Sequence, residues 1–145
     1  MGKSRGFTLI ELMVTIAVLA IVAMMAAPSF SELTRKFQLN HDTRDFVNLL
    51  AETRSEAVFK QNNRVLALDN TVSSPYKIWI PTHIAKDSGS ASITYDRLGL
   101  AIVASGDEGL CFIFKHNSDA NLKSYVYVQK GGTVIYNKTA TSCPT

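Results

Sequence analysis

Lys3-Ser4-Arg5-Gly6-Phe7-Thr8-Leu9-Ile10-Glu11-Leu12-Met13-Val14-Thr15-Ile16-Ala17-Val18-Leu19-Ala20-Ile21-Val22-Ala23-Met24-Met25-Ala26-Ala27-Pro28-Ser29-Phe30 is the stretch on which the reading of this chain turns. Two cations precede Gly6, and from Phe7 to Ala27 the only charge is Glu11. As a helix rising about 1.5 Å per residue, such a run is long enough to span a bilayer. A cleavable secretory signal would end in small residues at the cut, but Met24 and Met25 stand just upstream of Ala26-Ala27. A plain membrane anchor accounts for the length and leaves Glu11 without a reason. An intramembrane carboxylate costs a few kcal/mol, so Glu11 either lies at the membrane edge and snorkels to water or has a task.

Lys3-Ser4-Arg5-Gly6 followed by Phe7-Thr8-Leu9-Ile10-Glu11-Leu12 resembles the class III prepilin signal of type IV pilin-like proteins. The resemblance implies that a prepilin peptidase cuts between Gly6 and Phe7 and methylates the new amino terminus on Phe7. Residues 1–6 are then a leader peptide, 7–30 a transmembrane and assembly helix, and 31–145 a periplasmic or extracellular globular domain. Glu11 becomes an assembly and register residue. Its carboxylate lies four residues from the new amine, close enough to attract it. Between neighbouring subunits the same pairing gives each buried charge a partner and disfavours wrong stagger. Pro28 also resembles the family pattern. It marks either a helix kink, because proline removes a hydrogen bond, or simply the membrane boundary.

At 145 residues the chain suits one domain plus an anchor. The formal charge is +3; without Lys3 and Arg5, 13 basic side chains face 12 acidic ones, which is no nucleic-acid footprint. Arg35-Lys36 reads as a solvated helix face or a membrane-surface contact. Cys111 and Cys143 are the only cysteines and have no zinc-type spacing. In an exported domain they pair as a disulfide that pins the tail; the alternative is two buried thiols.

Beyond Pro28, Phe30, Leu33, Phe37, Phe46, Leu49, Leu50, Ala57 and Val58 recur at spacings near three and four, with a polar gap at Asn40-Asp42. This predicts one helix continuing to about Gln61, with Asn62-Asn63 as the stop and an apolar stripe laid on a sheet. β-prone runs follow at 64–68, 76–80, 92–95, 99–103, 110–115, 124–129 and 133–136. Tyr125–Gln129 and Thr133–Tyr136 predict a hairpin across Lys130-Gly131-Gly132. Leu98–Val103 and Leu110–Phe114 predict a second, and Asp69–Pro75 and Lys86–Ser92 read as loops. These elements make the expected fold class α+β, and the resemblance implies the type IV pilin fold, with a long amino-terminal transmembrane and amphipathic helix packed on an antiparallel β-rich domain. Phe46-Val47-Asn48-Leu49-Leu50-Ala51-Glu52-Thr53-Arg54-Ser55-Glu56-Ala57-Val58, Ile93-Thr94-Tyr95-Asp96 with Gly99, and the near-terminal cysteine are similar to the GspH/FimT group of minor pilins and type II secretion pseudopilins.

No catalytic motif is present, no cofactor is implied, and the chain does not read as an enzyme. Arg54 and Glu56 read as surface charges or contacts to a neighbouring strand. His41, His83 and His116 lack metal-binding spacing, so no metal is expected. Trp79 reads as packing, or as an interface anchor if exposed. The resemblance implies a structural subunit of a pilus tip or priming complex, with a GspH-like pseudopilin of type II secretion as the alternative. Its partners are other major and minor pilins or pseudopilins, the prepilin peptidase, the inner-membrane assembly platform and the lipid bilayer. Its location is the bacterial inner membrane as a single-pass protein before assembly, then the pilus or pseudopilus. DNA uptake, a role of FimT-like proteins with an arginine-bearing GRxR motif, is the weakest reading. Here Gly131-Gly132 leads into Thr133-Val134-Ile135-Tyr136-Asn137-Lys138 with no arginine, leaving Lys130 and Lys138 as DNA contacts without bidentate reach.

Overall fold

The computed structural model describes residues 6–143, with the side chains of 25–29 outside the description. One helix, α1 (Leu9–Lys60), precedes seven strands: β1 (Arg64–Ala67), β2 (Lys77–Ile78), β3 (Ile84–Ser88), β4 (Ser92–Tyr95), β5 (Gly109–His116), β6 (Asp119–Gln129) and β7 (Val134–Tyr136). The chain divides into two compact units, Met1–Arg35 and Lys36–Thr145.

Within the second unit α1 buries Leu39, Thr43, Phe46, Leu50, Thr53 and Ala57, at alternating steps of four and three. That period keeps one face of a helix in register with a partner. Phe46, Leu50 and Ala57 belong to the predicted stripe, whereas Phe37 and Val58 are exposed and two threonines take their place. The threonines tolerate burial because each hydroxyl donates back one turn, Thr43 to the Leu39 carbonyl at 2.7 Å and Thr53 to the Leu49 carbonyl at 2.6 Å. The helix stops where Gln61 turns left-handed at φ 52°. The Asn62 N–H then reaches the Ala57 carbonyl at 3.2 Å and the Gln61 N–H the Val58 carbonyl at 3.4 Å, a Schellman closure.

Opposite the helix lie two sheets, β2-β1-β4 and β3-β5-β6-β7. All pairs are antiparallel except β1 with β2, which run parallel. The alternation of β5 and β6 turns Phe112 and Phe114 inward on one strand and Ser124, Val126 and Val128 on the other. Phe46 sits among Trp79, Phe112 and Phe114 with ring centroids 4.9, 5.3 and 5.0 Å away, inside the range of favourable aromatic packing. Trp79 is therefore core.

The predicted hairpin across Lys130-Gly131-Gly132 forms as β6 and β7. Two other expectations fail. Lys86–Ser92 was expected as a loop, but Ile84–Ser88 is β3, antiparallel to β5 with a bulge between Lys86 and Ser88. Ile84 is buried, and Asp87 pairs with Lys115 at 2.9 Å and Lys123 at 2.6 Å on the adjoining strands, so tertiary contacts fix a segment of weak local propensity. The predicted pairing of Leu98–Val103 with Leu110–Phe114 does not form, since both edges of β5 are taken by β3 and β6. Asp96 instead accepts the N–H groups of Leu98 and Leu100, both at 2.9 Å, and reverses the chain onto β4 through a single bridge, Tyr95 to Ala101.

Candidate functional site

The amino end of α1 is closed by its own side chains. Thr8 precedes the first helical residue, and its hydroxyl accepts the Glu11 N–H at 3.3 Å while donating to the Glu11 carboxylate at 3.5 Å. Thr8 is thus the N-cap of α1, a signal present in the sequence as a threonine just before an apolar run, and the Glu11 carboxylate rests on its hydroxyl. Glu11 also lies in the first turn, where negative charge complements the helix dipole. From this cap onward the large apolar side chains, Leu9, Ile10, Leu12, Met13, Val14, Ile16, Val18, Leu19, Ile21, Val22 and Met24, are all more than half exposed. Phe7, the residue that would follow a cut after Gly6, is 78% exposed.

Among the described residues no helix is long and apolar enough to cross a membrane. The expected span 7–30 includes 25–29, whose side chains lie outside the described residues, and the Pro28 kink falls there too.

In the second unit the polar face of α1 latches the domain at both ends. Arg54 is half-buried: its Nε donates to the Gly99 carbonyl at 2.9 Å and an Nη to the Gly131 carbonyl at 3.2 Å. Gly99 and Gly132 both carry positive φ, 79° and 81°, and a Cβ on Gly132 would collide with the Gly99 carbonyl. One guanidinium therefore clamps two glycine turns distant in sequence. Glu52 binds Tyr76 and Lys77, and Glu56 approaches Arg64 at 3.8 Å, so the charges of this helix segment are structural. Tyr95, fully buried, has its hydroxyl without a hydrogen-bond partner among the described residues; burial pushes its pKa up to about 12, opposed by the Arg54 charge.

The polar gap at Asn40-Asp42 proves to be a second set of attachments. Tyr136 donates to Asn40 at 2.8 Å, Thr43 and Ser124 share a hydrogen bond at 2.7 Å, and His116 meets Gln38 at 3.0 Å. Asp42 is buried and accepts the backbone N–H groups of Thr82 at 3.2 Å and His83 at 2.7 Å. Burial pushes its pKa up, but the His83 N–H and the neighbouring imidazoles outweigh that and hold it below 3.8. His41 and His83, dispersed in sequence, both turn Nδ1 towards Asp42 Oδ1, at 3.3 and 3.5 Å.

Cys111 on β5 and Cys143 form a disulfide, Cα–Cα 6.1 Å, that closes a segment of sequence separation 32. Lys130 and Lys138 lie beyond opposite ends of β7 (Val134–Tyr136).

Residues 1–27 match the prokaryotic N-terminal methylation motif. The chain is 38% identical over 69 residues to the type IV major pilin protein PilE of Neisseria gonorrhoeae, covering 46% of this chain and 38% of that protein. It is 27% identical over 119 residues to type II secretion system protein H of Pseudomonas aeruginosa, covering 75% of this chain and 68% of that one. The crystal structure of the Pseudomonas aeruginosa type IV minor pilin FimU superposes with a TM-score of 0.51 at 15% identity, over 72% of this chain and 92% of that one. The amino-terminal motif is that of methylated pilin-type proteins, and the fold, a helix followed by a β-domain, is similar to that of FimU. Within that class the likeness to protein H supports a GspH/FimT-type pilin, that is, a minor type IV pilin or pseudopilin.

Proposed function

We propose that this chain is a structural subunit of a pilus tip or priming complex, inserted in the inner membrane before assembly and processed between Gly6 and Phe7 with methylation of Phe7. The observation that carries the reading is the unbroken exposure of large apolar side chains from Phe7 to Met24 on a capped helix. Apolar surface of that extent on every face of a helix requires a lipid or protein partner. Lipid supplies it before assembly, over residues 7–30, and the helices of neighbouring subunits supply it afterwards. In a single chain the Glu11 carboxylate rests on the Thr8 hydroxyl; next to a neighbour it meets that subunit's terminal amine, which fixes stagger. Pro28 would then let the helix bend as its surroundings change from bilayer to filament. The disulfide suits a domain that works outside the cytoplasm.

The likeness to type II secretion system protein H favours a second reading, a minor pseudopilin of that system. Deleting the gene and scoring surface pili, exoprotein secretion and transformation in one strain separates the two. Loss of pili is the expected result, loss of secretion with intact pili transfers the chain to the pseudopilus, and loss of transformation alone overturns both.

A further inference from the structure

Along one side of α1 in the second unit, a groove of about 560 Å³ runs between the helix and residues 78–83. Its floor includes His41, Asp42 and Asp45 from the helix and His83 from the facing segment. The Asp42 side chain is 6% exposed. Its Oδ2 is satisfied by two backbone N–H groups, which lock residues 82–83 against the helix. Among the described residues its Oδ1 meets the Nδ1 atoms of His41 and His83, at 3.3 and 3.5 Å, and His41 Nδ1 also lies 3.5 Å from Asp45 Oδ2. Hydrogen bonds between an imidazolium and a carboxylate close to about 2.7–2.9 Å, so these separations are long for direct pairing. They match something else. Donors bound at about 2.0–2.1 Å around a tetrahedral zinc ion stand about 3.3 Å apart.

We propose that His41, Asp42, Asp45 and His83 form a divalent metal site with the nitrogen and oxygen donors that suit zinc. Ligand atoms of His41, Asp42 and Asp45 lie within 4.8 Å of one another, and His83, outside that group, approaches it through the 3.5 Å separation of its Nδ1 from Asp42 Oδ1. Asp42 is the fixed member, held by its backbone contacts. His41, Asp45 and His83, with side chains 59%, 55% and 40% exposed, have room to swing onto the ion. The two imidazoles select against magnesium and calcium, which prefer all-oxygen shells. Such an ion would tie the facing segment to α1 and stiffen the wall that carries Trp79.

Calorimetric titration of the full chain in detergent micelles with Zn²⁺, Ca²⁺ and Mg²⁺ tests this. One saturable Zn²⁺ site per chain is expected, with Ca²⁺ and Mg²⁺ at least about tenfold weaker. His41→Ala and His83→Ala should each weaken Zn²⁺ binding at least about tenfold, and the double variant should abolish it. Metal-free melting of these variants checks that they fold, and Asp45→Asn, at an exposed position, gives an independent loss if a histidine variant does not. Absence of a saturable Zn²⁺ site, or equal affinity in the wild type and the His41→Ala/His83→Ala variant, overturns the proposal.

Discussion

Between Leu9 and Met24, α1 carries large apolar side chains around its whole circumference, all of them exposed, whereas between Leu39 and Ala57 it buries a single stripe whose steps alternate four and three. The same helix thus meets two solvents. Among the described residues the first stretch buries none of its large apolar side chains, and the proposed function gives them lipid or other chains as partners. The second is fastened by a packed aromatic cluster, by Arg54 across two glycine turns and by the polar residues 38–43. On the proposed reading, assembly and folding are written on separate lengths of one element.

The strongest way to break this comparison is to remove residues 1–35. The unit Lys36–Thr145 should still fold and melt cooperatively, but fractionation should find it entirely outside the membrane. Loss of folding would mean that the exposed stretch is part of the core after all. Next in size is Phe46→Ala in that unit, expected to cost about 3–5 kcal/mol in a urea melt because Trp79, Phe112 and Phe114 all lose contact with it. Replacing Cys111 and Cys143 with alanine should cost about 3–4 kcal/mol, since the unfolded chain regains the freedom of a closed segment of sequence separation 32.

The smallest effect sharpens the role of the polar belt. Asp42 has a folded pKa held below 3.8, so its contribution is fully present above that value and is lost as pH falls through the folded pKa. A urea series at decreasing pH should show this acid loss, and Asp42→Asn should remove that component of it while lowering stability at neutral pH.

These contrasts were unevenly legible beforehand. Lys130-Gly131-Gly132 between two alternating runs announced β6 and β7, and Asn62-Asn63 announced the helix end, because turn chemistry is local. The motif at Gly6–Glu11 announced the likeness to pilins, and the capping role of Thr8 was readable in the same letters. Thr43 and Thr53 were missed because a binary pattern counts a hydroxyl as polar even when its donor is spent inside the helix. β3 was missed because Ala85-Lys86-Asp87-Ser88 becomes a strand only through Ile84 and the lysines of β5 and β6. The meeting of His41 with His83 at Asp42 was invisible in spacing, since it is made by the chain doubling back across the domain.

Mass spectrometry of the complex isolated from gently solubilised membranes, wild type against Glu11→Leu, tests the central claim most directly. Wild type should begin at a methylated Phe7 and arrive with other pilins or pseudopilins, while Glu11→Leu should remain in the membrane and lose those neighbours. Recovery of the same neighbours with both chains, or of a wild-type chain still carrying residues 1–6, would contradict it.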